Sequence, residues 1–141
     1  YIHSVERISK FSNVISINGG VQLDLMGQEN AESTGTRQLS GVGGQMDFLE
    51  GAYRSKGGKG FICINSSRVT KDGERKSNIL ATIPGGSTIS APRTMIQYVA
   101  TEYGIASLSG KTLRERAEAM ASIAHPDFRE ELMKYARENF K

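Results

Sequence analysis

The chain has 141 residues, enough to bury one core without disulfide or metal staples and short for two domains. Hydrophobic residues make up 38% and charged residues 23%, with three prolines, which excludes a disordered or fibrous chain. The 18 Lys and Arg against 15 Asp and Glu leave a formal charge of +3, scattered rather than massed. That pattern is no nucleic-acid footprint, though it suits an anionic ligand carrying phosphates.

The start, YIHSVERISK, has no initiator Met and lacks the apolar core of a signal peptide, and no apolar run reaches membrane-spanning length. The expectation is a cytoplasmic protein with no membrane partner, of which this chain is a fragment. His3 has no cysteine or second histidine at metal-ligand spacing, so no metal site is expected. Val14 to Asn18 and Val21 to Leu25 are β-rich segments around Gly19 and Gly20, the second strictly alternating, and they read as a hairpin. Met26 to Leu39 is polar with scattered glycine and reads as a loop, where binding groups commonly sit.

Ser40 to Phe48, SGVGGQMDF, passes from a glycine turn into a helix predicted over Gln45 to Arg54, with Met46, Leu49 and Ala52 or Tyr53 on one face. The turn is not a dinucleotide fingerprint, because Met46 stands where the third glycine of G-x-G-x-x-G belongs. Two readings stay open. Side-chain-free N–H groups at a helix start can stabilise an anion or a developing oxyanion, or the glycines simply permit a tight turn against a neighbour. Glu29, Glu32, Asp47 and Glu50 flank the turn in sequence and are candidate bases. Charge statistics make most of them solvated or capping, and Asp47 is favourable in a first helical turn without any chemistry.

Lys56 to Gly60 stops the helix, and the apolar Phe61 to Ile64 reads as a strand covered on both faces, with Cys63 a small core residue. One cysteine excludes an internal disulfide and fits a reducing compartment. Strand, glycine turn, helix, strand is an α/β rhythm. Ser67 to Lys76 is a charged turn around Asp72 and Gly73. Strands follow at Asn78 to Ile83 and Ile96 to Thr101, with a short one at Thr88 to Ala91. Gly104 is separated from the Gly-Lys-Thr at Gly110 to Thr112 by five residues where a P-loop needs four, so Gly110 is a turn residue and Thr112 a cap. Thr112 to Glu115 is a capping box, and Leu113, Ala117, Met120 and Ala124 form the apolar face of the helix it opens. Pro126 begins a second amphipathic helix through Phe128, Leu132 and Tyr135 or Ala136, preceded by a structural His125. No G-x-S-x-G elbow supports a serine nucleophile.

ISINGGVQLDLMGQENAES, SGVGGQMDF, SKGGK, YVATEYGIASLSGKTLRERAEA and IAHPDFREEL, in that order and over nearly the whole chain, resemble the C-terminal domain of the acetyl-CoA hydrolase/transferase family. Within it the 4-hydroxybutyrate or butyrate:acetate CoA-transferase branch is most similar. The resemblance implies that residues 1–141 form part of an open CoA-transferase-like α/β domain, a mixed sheet with flanking helices and two C-terminal helices. It also implies transfer of CoA from a short-chain acyl-CoA to a carboxylic acid through a glutamyl-CoA thioester, with no permanently bound cofactor. Coenzyme A enters as substrate. Acyl-CoA hydrolysis and a non-catalytic CoA-binding module are the alternatives.

By this matching, Gly44 N–H is an oxyanion donor with Gly43 beside it, Ser40 lines the CoA site and Lys71 meets CoA, with Lys76 competing and a solvated charge the alternative for both. The segment INSSRVTKDGERKS departs from the family pattern there. His3 lies near where relatives carry an active-site Asn or His. The family's nucleophilic glutamate matches nothing in this chain. The expected partner is therefore the N-terminal CoA-transferase domain of the same protein, a homo-oligomer is compatible with the reading, and the fragment alone should be inactive.

Overall fold

The computed structural model describes residues 2–141. In chain order it contains α1 (Val5–Ile8), β1 (Ile15–Gly19), β2 (Gln22–Asp24), β3 (Glu29–Asn30), β4 (Ser33–Thr34), β5 (Arg37–Gln38), α2 (Gln45–Arg54), β6 (Lys59–Cys63), β7 (Ser67–Val69), β8 (Arg75–Ser77), β9 (Ile79–Leu80), β10 (Tyr98–Thr101), β11 (Gly104–Ser107), α3 (Leu113–Ser122) and α4 (Pro126–Asn139). The principal sheet has the order β1-β6-β10-β11, with β1, β6 and β10 parallel and β11 antiparallel at the edge. This is the mixed α/β sheet with two C-terminal helices that the sequence predicts.

Register explains which side chains are buried. Asn18, Ile62, Val99 and Ala106 align across the four strands on the face where α2 packs on β1 and β6 and α3 packs on β11. Ile62, Val99 and Ala106 are buried there with Leu49 of α2 and Ala117 and Met120 of α3. The opposite face aligns Ile17, Phe61 and Tyr98, and the Phe61 and Tyr98 rings stack with centroids 4.9 Å apart. On that face Ile17 is 68% and Ile105 63% exposed, and Cys63 is exposed too. The expectation that Phe61 to Ile64 is covered on both faces, with Cys63 in the core, is therefore corrected. An apolar run shows that a strand can be buried, but the layer above this face is not formed by the described residues.

The hairpin expected around Gly19 and Gly20 is also absent. Neither glycine takes the positive φ a two-residue hairpin turn requires. Instead β1 pairs with β6, and β2 joins a separate sheet of order β3-β2-β9. Gly20 is the crossing point between the sheets. A Cβ there would lie 2.6 Å from Glu29 Oε1 and 3.0 Å from Ile64 Cγ2, so glycine serves close approach rather than turning. The predicted loop 26–39 contains β3 and the β4–β5 hairpin, and it is partly buried because its polar groups satisfy one another. Asn30 Oδ1 accepts from the N–H groups of Glu32 (3.2 Å) and Ser33 (3.0 Å), while Asn30 Nδ2 donates to Ser33 O at 2.8 Å.

Of the later expectations, the charged turn at 67–76 is itself the β7–β8 hairpin, with only its middle a turn, the strand after it is reduced to β9, and Thr88 to Ala91 contributes one bridge, Ala91 to Glu29. Helix α2 has the predicted bounds. Thr112 caps α3 in a reciprocal box with Glu115, and His125 caps α4 by accepting from Asp127 N–H at Nδ1, 3.3 Å. No helix of the described residues is long and apolar enough to cross a membrane.

One buried cation ties three loops to α3. The Arg116 guanidinium donates to the carbonyls of Met26 (2.9 Å), Leu108 (2.8 Å) and Arg93 (2.8 Å). Burial, together with nearby Arg93, lowers its pKa from the ordinary arginine value, while Asp24 acts in the opposite direction. Arg116→Met keeps most of the volume but strands three acceptors, and it should destabilise the protein by about 3 kcal/mol, read as a lower denaturation midpoint. An unchanged midpoint would show that the three loops do not depend on this residue.

Candidate active site

The glycine turn hangs from Glu32. The N–H groups of Leu39 and Ser40 both donate to Glu32 O, at 2.7 and 3.2 Å, and Gln38 Nε2 donates to Ser40 O at 2.7 Å. Gly43 and Gly44 then serve different physical needs. Gly43 has φ +62° with open space around it, so it supplies a left-handed conformation. Gly44 has φ −103° and needs no special conformation, but a Cβ there would fall 1.9 Å from His3 Nδ1. Glycine at 44 thus leaves room for the imidazole, which a side chain there would push aside.

Gly44 is the N-cap of α2 and no side chain caps that end. The first N–H groups of a helix have no intrahelical acceptor, so those around Gly44 are available to an anion. His3 approaches this end, and Gln45 ties it to Glu29. The His3 ring lies edge-on to Phe48 with centroids 5.3 Å apart, and its Nδ1 is 3.7 Å from Asp47 Oδ2. Gln45, the first residue of α2, donates through Nε2 to Glu29 Oε2. Glu29 is fully buried, and burial pushes its carboxyl up to about 8 against the opposing effect of the Gln45 bond. Its Oε1 has no hydrogen-bond partner among the described residues.

These groups lie toward the carboxyl ends of β1, β6 and β10, the place where open α/β sheets bind ligands. A cleft of about 460 Å³ opens there, lined by Gly20, Cys63, Ile64, Asn65, Ala100 and Thr101. Beside it Glu102 accepts from Ser66 N–H at 2.9 Å and Ser66 Oγ at 2.6 Å. Desolvation raises the Glu102 pKa, but the Ser66 bonds, its own backbone N–H and the His125 charge together hold it below the ordinary carboxylate range.

Of the sequence-predicted residues, Ser40, Gly43 and Gly44 share one turn, and Ser40 is exposed with its hydroxyl donating to Gly41 O at 3.3 Å. His3, placed only by resemblance, is against Gly44. Lys71 stands exposed at the tip of the β7–β8 hairpin, and Lys76 of the same hairpin pairs with Glu74 at 3.2 Å. No hydrogen bond or ion pair among the described residues joins that hairpin to the glycine turn. Glu29 and Glu32 correct the expectation of solvated carboxylates, since both are buried, whereas Glu50 pairs with Arg54 on the surface of α2. Gln45 and the Glu102–Ser66 pair carried no recognisable sequence signal. Among the described residues no cluster of three or more His, Cys, Asp or Glu could hold a metal.

The parallel strands, the crossover helix and the uncapped glycine end define an open α/β domain with an anion-receptive helix terminus at the carboxyl edge of its sheet. The family model described as "Acetyl-CoA hydrolase/transferase C-terminal domain" matches residues 1–136. The butyryl-CoA:acetate CoA-transferase of Anaerostipes caccae is 48% identical over 96% of this chain and 30% of its own length. The 4-hydroxybutyrate coenzyme A transferase of Clostridium kluyveri is 48% identical over 99% and 32%. The crystal structure of RipA from Yersinia pestis superposes with a TM-score of 0.85 at 38% identity, covering 98% of this chain and 30% of that one. An acetyl-CoA hydrolase of Kluyveromyces lactis is more distant, at 32% identity over 86% of this chain and 22% of that protein. The chain belongs to the acetyl-CoA hydrolase/transferase family, and it spans about 30% of the length of the first of these relatives.

The Glu29 carboxyl gives this site a testable stability signature. Its pKa is raised from 4.5 to about 8 on folding, so the folded protein binds more protons than the unfolded chain between those values. Stability tied to neutral Glu29 is complete below about 4.5 and declines as pH rises toward 8. Glu29→Gln, which cannot ionise, should therefore gain melting temperature relative to the parent as pH rises from acidic to mildly alkaline. A difference that stays constant with pH would contradict the buried neutral acid.

Proposed function

We propose that the protein containing this chain is a CoA-transferase moving CoA between a short-chain acyl-CoA and a carboxylic acid through a glutamyl-CoA thioester. The observation that carries this reading is the uncapped α2 terminus at Gly44, pressed against His3, in a domain 48% identical to two CoA-transferases. The glutamate comes from polypeptide outside this chain. Each half-reaction turns a flat carbonyl into a tetrahedral oxyanion, and splitting the exchange through a covalent thioester replaces one difficult step by two easier ones. Gly44 N–H, with Gly43 shaping the turn beside it, donates to that oxyanion. A fixed backbone dipole needs no reorganisation as charge develops. Ser40 lines the approach and Lys71 meets a phosphate of CoA, a role that needs only a flexible point charge. The greater distance of the hydrolase relative favours a carboxylic acid over water as the acceptor.

The bare face of Ile15, Ile17, Phe61 and Ile105 is the seat of the N-terminal domain of the same protein. Parallel sheets are ordinarily covered on both faces, and the curated relatives are about three times as long as this chain.

Two measurements test this reading on the full-length protein. CoA release from acetyl-CoA should depend strongly on added carboxylate, and equal release without an acceptor acid would convert the assignment to a hydrolase. Gly44→Pro, which removes the proposed N–H donor, should lower kcat/KM by about a hundredfold in a protein that still folds. Gly43→Ala should instead show a stability loss of about 1 kcal/mol from its left-handed backbone. Full turnover by a folded Gly44→Pro protein would remove that N–H from the mechanism.

A further inference from the structure

Glu29 is an expensive residue to bury. An acid with one oxygen unpartnered among apolar neighbours costs stability that a leucine of similar size would not. Yet the surroundings are arranged to receive it. Gly20 lacks the Cβ that would collide with Glu29 Oε1, and that absence is not needed for any special backbone conformation. The Glu29 backbone is held from two sides, by the β3–β2 pairing and by the bridging segment at Ser90 and Ala91, where Glu29 N–H donates to Ala91 O at 3.0 Å and Ser90 N–H donates to Glu29 O at 2.8 Å. A carboxyl on so fixed a backbone is a rigid anchor.

What it anchors is Gln45, the residue directly after Gly44. Among the described residues, the Gln45–Glu29 bond is the one side-chain hydrogen bond from the first turn of α2 to either main sheet. Leu49 fixes the middle of the helix by burial and Met46 packs against the core from its first turn, but apolar contact sets the rotation of the first peptide groups less narrowly than a directional hydrogen bond does. We propose that Glu29 is a positioning residue that, through Gln45, fixes the direction in which the Gly44 N–H points. This rests on the oxyanion reading of Gly44, and it accounts for an orphaned buried oxygen and a side-chain-free Gly20 that packing alone leaves unexplained.

The test uses the full-length enzyme and carboxylate-dependent CoA transfer. Glu29→Leu fills the same space and removes the orphan oxygen, so its melting temperature should equal or exceed the parent's, while kcat falls about tenfold or more because the donor is misaimed. KM for acetyl-CoA should stay within about twofold, since a misaimed oxyanion donor weakens the transition state and not the bound substrate. Gln45→Leu, at a half-buried position, should reproduce the loss from the other end of the bond. The double variant should be no slower than either single one, and Glu29→Gln, which keeps an acceptor for Gln45, should retain activity within about threefold. The proposal is overturned if Glu29→Leu or Gln45→Leu keeps parental kcat, if their losses multiply in the double variant, or if Glu29→Gln is as slow as Glu29→Leu. Should Glu29→Leu fail to fold, Gln45→Leu alone decides. Failure of the functional reading is separate, because it shows as absence of acceptor-dependent transfer in the parent enzyme.

Discussion

Two parallel strands joined by one helix require that helix to run back against them. The chain leaves β1 at its carboxyl end and must enter β6 at its amino end, so α2 begins where β1 finishes. That constraint delivers an uncapped helix terminus, with its unpaired N–H groups, to the carboxyl edge of the sheet. The rest of the site follows from making room there. Gly44 gives up a side chain so that His3 can approach, and Gly20 gives one up so that Glu29 can lie beneath the turn. Neither glycine has a positive φ, and in both cases the missing atom, not the backbone freedom, is what matters.

How much of this was legible in the sequence depends on the range of the interaction. Helices α2, α3 and α4 were readable because periodicity and the Thr112–Glu115 box act within a turn or two. The hairpin at Gly19 and Gly20 was misread because two adjacent β-rich segments have an obvious local partner in each other. The true partners lie beyond α2 for β1 and in the β3 and β9 strands for β2, which no short window reveals. Cys63 was misplaced for a related reason, since a strand's composition does not say whether another layer covers it. The loop at 26–39 failed differently. Its polar residues are buried because Asn30 bonds several neighbours at once, and polarity alone predicts solvent. His3 reached the site only through family resemblance, and Gln45 had no local signal at all.

The two notable carboxyls at this end of the sheet show how strongly surroundings decide chemistry. Glu102 sits where a backbone N–H and a hydroxyl both donate to it, which favours its ionised form. Glu29 meets a single amide and apolar side chains, which favours the neutral acid. The same side chain type is thus held in opposite charge tendencies within one domain. On the proposed function, a neutral acid near the glycine turn adds no negative charge where the oxyanion forms, whereas an ionised carboxylate would oppose it.

The bare sheet face links this local electrostatics to assembly. One face of the principal sheet is sealed by α2 and α3, and that packing fixes where Gly44 lies. The other face exposes Ile17 on β1, whose carboxyl end borders the cleft, and Ile105 on the antiparallel edge strand β11. On the proposed function, the attacking glutamate belongs to polypeptide outside this chain, as does the layer that covers this face. Burying the apolar face would then be the same event that brings nucleophile and oxyanion donors into one site. Such a division protects against waste, because an N–H set without its glutamate has no covalent route to hydrolyse a thioester. It also makes the strands a shared reference frame. Any layer that seats on Ile17, Phe61 and Tyr98 is registered against β6, and β6 is the strand against which Leu49 holds α2. On the proposed function, the alignment of attacking carboxylate and receiving N–H reduces to two packings on opposite faces of one sheet.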